Sequence, residues 1–99
     1  MKIQTTVTQE DFDSGLEAMR QRTAKSHMVI CQPLALALAK AGDEVSGVWE
    51  EHALVVDGAK MWIVKHNEES LRLWHDFLNV WRGGQQKTAF PLSLELNAA

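Results

Sequence analysis

One cysteine, no tyrosine and two prolines in 99 residues exclude several kinds of protein at the outset. Cys31 alone cannot close an internal disulfide, so a stapled secreted scaffold is excluded and a reducing compartment, the cytoplasm, is expected. No stretch approaches the roughly 18 consecutive apolar residues of a membrane span. Met1 to Val7 alternates instead of running apolar, so no signal peptide is expected there. Basic excess is also missing: the net charge is −3, which removes the broad positive field most nucleic-acid binders use. The acids are scattered along the chain, so they do not build a phosphate-like block. Neither a nucleophile-elbow sequence nor a phosphate-cradling glycine loop with its lysine is present.

What is present is ordinary globular material, 45% hydrophobic and 23% charged. The length suits one domain over residues 1–99 with a radius of gyration of roughly 13 Å. Ile3, Thr5 and Val7 alternate with polar neighbours, the period of a half-buried strand. Thr8 offers a hydroxyl cap to a helix whose apolar face is Phe12, Leu16 and Met19, weakened by Gly15. Arg20 to Ser26 reads as a polar connection or a frayed extension of that helix. Pro33 to Ala41 predicts a second helix, stopped at Gly42. Val45 to Trp49, Ala53 to Val56 and Ala59 to Lys65 predict three strands, the last two joined by an Asp57-Gly58 hairpin turn. Asn67 caps a helix with Glu68 and Glu69 in its first turn and Leu71, Trp74, Phe77, Leu78 and Trp81 on its apolar face. Phe90 to Leu96 alternates as a last strand, with Pro91 at its start or on a sheet edge. The expected fold is therefore α+β, in the order β-α-α-β-β-β-α-β. Its antiparallel or mixed sheet has four to five strands with the terminal two adjacent, two to three helices pack on it, and the last helix is the main cover.

The opening Val7-Thr8-Gln9-Glu10-Asp11-Phe12-Asp13-Ser14-Gly15, the stretch Cys31-Gln32-Pro33-Leu34-Ala35-Leu36-Ala37-Leu38 and the closing Phe90-Pro91-Leu92-Ser93-Leu94 resemble a group of short, functionally uncharacterised bacteriophage and prophage proteins. The resemblance spans nearly the whole chain and is one of pattern and order. A glutamine separates Cys31 from Pro33 where the group places the cysteine directly before the proline. The resemblance implies a phage-related origin and the cytoplasm of a host bacterium. By analogy with small phage accessory proteins, it also implies binding to a host protein, including components of antiviral defence.

Each chemical candidate has a plainer counterpart. His27 and Cys31 stand four apart and would share a helical face as half of a metal site, but zinc takes three or four protein ligands. His52, His66 and His75 are scattered over a strand, a strand end and a helix, so Cys31 also reads as a small buried hydrophobe. Glu50-Glu51 and Glu68-Glu69 read as solvated surface, and Gly83-Gly84 as a helix stop. Arg20, Arg22 and Lys25 form a basic stretch able to touch phosphates or an acidic protein, though no aromatic residue interleaves it as a stacking platform.

The four tryptophans carry more information, because Trp is enriched at the centres of protein interfaces. Trp74 and Trp81 fit the core face of the last helix. Around the central hairpin both sides are apolar: Trp62 and Val64 point one way, Met61 and Ile63 the other. A sheet covered on one face only would present an apolar surface around Trp49 and Trp62, whereas helices shared between both faces would bury it. The expectation is a non-enzymatic interaction protein that needs neither cofactor nor metal. It would bind a host bacterial protein or its own copy through Trp49 and Trp62, with Arg20, Arg22 and Lys25 as polar contacts, and no membrane. A small nucleic-acid module using Arg20 to Lys25, and a metal- or thiol-dependent protein using His27 and Cys31, are the alternatives.

Overall fold

Period two in the sequence becomes a pleat at the N-terminus: β1 (Lys2–Val7) alternates exposed and buried residues along its whole length. In the computed structural model, which describes residues 2–21, 31–42, 44–57 and 60–98, seven further elements follow. They are α1 (Gln9–Gln21), α2 (Pro33–Lys40), β2 (Glu44–Val48), β3 (His52–Asp57), β4 (Lys60–Lys65), α3 (Glu68–Trp81) and β5 (Leu92–Ala98). The order is the one the sequence predicts. The strands form one antiparallel sheet in the order β1-β5-β4-β3-β2, with the two terminal strands side by side.

Local chemistry explains the boundaries. Thr8 and Asp11 cap α1 reciprocally: the Asp11 amide donates to Thr8 Oγ1 at 3.2 Å and the Thr8 amide donates to Asp11 Oδ2 at 2.9 Å. The other oxygen of this buried carboxylate accepts from Lys40 Nζ at 2.7 Å, which ties the start of α1 to the end of α2. Gly15 has a reason that helix propensity hides. A Cβ there would stand 2.3 Å from the Cys31 carbonyl oxygen and 3.1 Å from the Phe77 ring, so glycine lets α1 pack this closely. Phe12 meets Phe77 edge-on with centroids 5.4 Å apart and Phe90 at 5.5 Å, joining α1, α3 and the approach to β5.

Details depart from expectation where tertiary contacts outweigh local signals. Asp57 is the register partner of Lys60, so it closes the β3–β4 pairing and does not occupy a central turn position; Gly58 and Ala59 lie outside the described residues. β5 starts at Leu92, after the Phe90-Pro91 pair. In α3 the buried residues are Ser70, Leu73, Asp76, Phe77 and Leu78, whereas Leu71 and Trp74 are half-buried and Trp81 is 39% exposed. The polar pair shifts the buried face. Ser70 completes the cap, and Asp76 accepts the Lys87 and Thr88 amides at 2.9–3.1 Å, so each has its partners inside. Trp81 is the final helical residue, and the correct face does not guarantee cover there.

The buried side chains of the three described helices join one face of the sheet in a single core. That face contributes Ile3, Val7, Leu94, Leu96, Val64, Ala53 and Val48. Lys2, Gln4, Thr6, Ser93, Glu95, Asn97, Met61, Ile63 and Lys65 are all exposed on the opposite face, which no helix covers among the described residues. Among the described residues, the register pairs that join the ribbons β1–β5 and β2–β3–β4 are Val64↔Ala98 and Lys65↔Asn97.

Candidate functional site

Along β4 the alternation places Val64 in the core, with Trp62 half-buried on the same side. Met61 and Ile63 project from the uncovered side, 63% and 48% exposed. On the neighbouring strand, the register partners of Ile63 and Met61 are Leu54 and Val56. The open apolar surface of the central hairpin is thus that of Met61 and Ile63, and Trp62 faces the helices. The sequence names both sides of the hairpin; which of them stays open follows from the three described helices packing on one face.

Trp49 and Trp62, which the sequence nominates for binding, are both half-buried. The Trp62 indole Nε1 is buried with no hydrogen-bond partner among the described residues, as is that of Trp74. Trp49 follows β2 and stacks on His52, with centroids 5.4 Å apart and 30° between planes. Arg20 lies exposed in the last turn of α1, its guanidinium 3.4 Å from Glu17. Arg22, Lys25 and His27 lie outside the described residues. Cys31 is buried. Next to it Gln32 is 1% exposed, and neither amide atom has a hydrogen-bond partner among the described residues. An unsatisfied buried amide costs roughly 1–3 kcal/mol, and Gln32 stands between Cys31 and Pro33.

A polar cluster escaped sequence reading. His66, between β4 and α3, is half-buried; its Nε2 lies 2.7 Å from the Trp49 carbonyl oxygen and its Nδ1 2.8 Å from Ser70 Oγ. Burial holds the His66 imidazole below the ordinary histidine value of 6.5; the bond to the Trp49 carbonyl opposes this, and His52 and His75 push in the same direction as burial. His75 in turn stands 3.8 Å from Glu50. The histidines that look scattered along the chain are therefore gathered at one corner by the β2–β3 turn and the head of α3. The i,i+4 spacing of His66 and Ser70 around the Asn67 cap is the only trace of this in the sequence.

This His–Ser contact is not built as a nucleophile with its base. Ser70 is fully buried, and its hydroxyl accepts from the Asn67 amide at 3.0 Å within the helix cap. Among the described residues no group of three or more His, Cys, Asp or Glu is placed to hold a metal ion. None of the described helices is long and apolar enough to cross a membrane. A cleft of about 800 Å³ lies between α3 and the approach to β5. It is lined by both signs of charge, including Glu69, Arg72, His75 and Lys87, and Asp76 within it is already committed to backbone amides. Comparison with family models, with curated proteins and with solved structures finds no match to this chain.

Proposed function

We propose that this chain is a non-enzymatic accessory protein, of bacteriophage or prophage origin, that acts in the bacterial cytoplasm by docking a host protein. The observation that carries the reading is the pair Met61 and Ile63, large apolar side chains 63% and 48% exposed on the uncovered sheet face. Exposed apolar side chains add nothing to the packing of a monomer, and in soluble proteins clustered ones accompany contact surfaces. The pair is a small anchor, in keeping with interfaces in which few residues carry most of the energy. Inhibition of a defence component is the form of action that the phage resemblance favours.

The test is capture from a bacterial host extract with wild type, with the double variant Met61→Lys/Ile63→Lys, and with Gln4→Lys/Ser93→Lys on the polar half of the same face. A specific host protein retained by wild type and the Gln4/Ser93 variant, and lost by the Met61/Ile63 variant, is the expected result. Equal retention by all three would sink the reading. Mass measured against concentration separates the self-association reading: a dimer abolished by the Met61/Ile63 variant would make the partner a second copy.

A further inference from the structure

β1 and β2 are the two edges of the sheet, and they are built differently. An edge strand turns the N–H and C=O groups of alternate residues away from its one neighbour, where a further strand can pair with them. β2 is blunted in the way that soluble proteins defend such an edge: its register with β3 shifts between Val45 and Gly47, and a bulge of this kind bends the strand out of line. β1 carries no such device. Its residues pair in unbroken register with β5, from Lys2↔Asn97 to Val7↔Leu92, and none of them is proline. Among the described residues no strand pairs with its outer side. A cleft of about 640 Å³, lined by Gln4, Thr5 and Thr6 of β1 and by Ala37, Lys40 and Ala41 of α2, separates the middle of the strand from the end of that helix.

A second copy of the chain matches this edge by symmetry. A two-fold axis through Thr5, perpendicular to the sheet, sets β1 antiparallel to β1 of the second copy. Thr5 then stands opposite Thr5 and Ile3 opposite Val7 in the core-facing row, and Gln4 stands opposite Thr6 on the uncovered side. Aliphatic and hydroxyl pairs of this kind stabilise neighbouring strands, whereas like charges placed opposite each other drive them apart. No like charges meet in this register. Lys2, the charged residue of β1, falls beyond the pairing and is held by Glu95 at 3.2 Å, and Lys40 at the cleft is held by Asp11 at 2.7 Å. Moving the axis to Gln4 would set Ile3 against Thr5 and lose the aliphatic pair.

We propose that two copies of this chain join through their β1 edges, in antiparallel pairing centred on Thr5, so that their sheets continue into one. The axis stands perpendicular to the sheet, so both uncovered faces lie on the same side of the assembly. Met61 and Ile63 belong to β4, beyond β5 from the junction, and stay open in both copies. The dimer therefore presents the exposed apolar pair twice toward one side, and its formation does not depend on what that pair binds.

The experiment is sedimentation equilibrium from about 1 μM to about 1 mM protein, on wild type and three double variants whose altered residues are all exposed on the uncovered face. Wild type is expected to dimerise within this range. Gln4→Lys/Thr6→Lys sets like charges opposite each other at both Gln4 and Thr6 contacts and is expected to weaken association by about tenfold. Gln4→Lys/Thr6→Glu sets unlike charges there and is expected to associate at least as tightly as wild type. Met61→Lys/Ile63→Lys is expected to dimerise as wild type does. A wild type that remains monomeric throughout overturns the proposal and leaves the edge to a foreign strand. Equal association of the two Gln4/Thr6 variants overturns it as well, and a dimer lost only in the Met61/Ile63 variant would move the contact to β4. In wild type alone, alternate amides of β1 must gain protection from hydrogen exchange as concentration rises, while those of β2 do not; β1 protection independent of concentration also rejects the pairing.

Discussion

The uncovered face of the sheet divides into two halves with different chemistry. Over β1 and β5 it presents Lys2, Gln4, Thr6, Ser93, Glu95 and Asn97, the polar row expected where an antiparallel sheet meets water. Over β4 it presents Met61 and Ile63 before polarity returns at Lys65. Both halves belong to one sheet above one core, so folding does not account for the difference. Polar residues occupy the equivalent positions of β1 and β5, and β4 departs from that pattern at Met61 and Ile63. The contrast sets an apolar half, the one the proposed function assigns to docking, apart from a polar half that is plain solvent-facing sheet.

Substitutions of graded severity sharpen that contrast. Leu96→Ala, beneath the polar half, empties a fully buried site and is expected to cost about 2–5 kcal/mol, read as a lower midpoint in urea unfolding. Asp76→Ala strips the Lys87 and Thr88 amides of their buried acceptor and is expected to cost about 2–3 kcal/mol; an unaltered midpoint would mean that the approach to β5 is held by something else. Gly15→Ala sets helix propensity against a backbone collision. Here the collision wins, with a loss of about 1–3 kcal/mol, and a gain in stability would show α1 free to move off the Cys31 segment. Met61→Lys and Ile63→Lys, over the apolar half, are expected to change stability by no more than about 0.5 kcal/mol each. A large loss there would place these side chains in the frame of the fold and erase the distinction between the halves.

Much of the architecture is legible in residue order because its signals are local. The alternation in β1, the Thr8 and Asn67 caps and Pro33 at the start of α2 each act within a few residues, and each appears where the sequence places it. The site was less legible. Leu71 and Trp81 read as core because periodicity treats Ser70 and Asp76 as polar, yet both are buried with partners supplied by the cap and by the distant Lys87–Thr88 backbone. His52, His66 and His75 look unrelated until the β2–β3 turn folds onto the head of α3.

The order of elements, the class of fold and the two-sided apolar character of the central hairpin follow from the sequence alone, because side-chain period and capping are short-range. Which side of that hairpin remains open was decided only in three dimensions. A strand pattern is symmetric between the two faces of a sheet, and it was the packing of the three described helices into one core that covered the Val64 side and left Met61 and Ile63 in water.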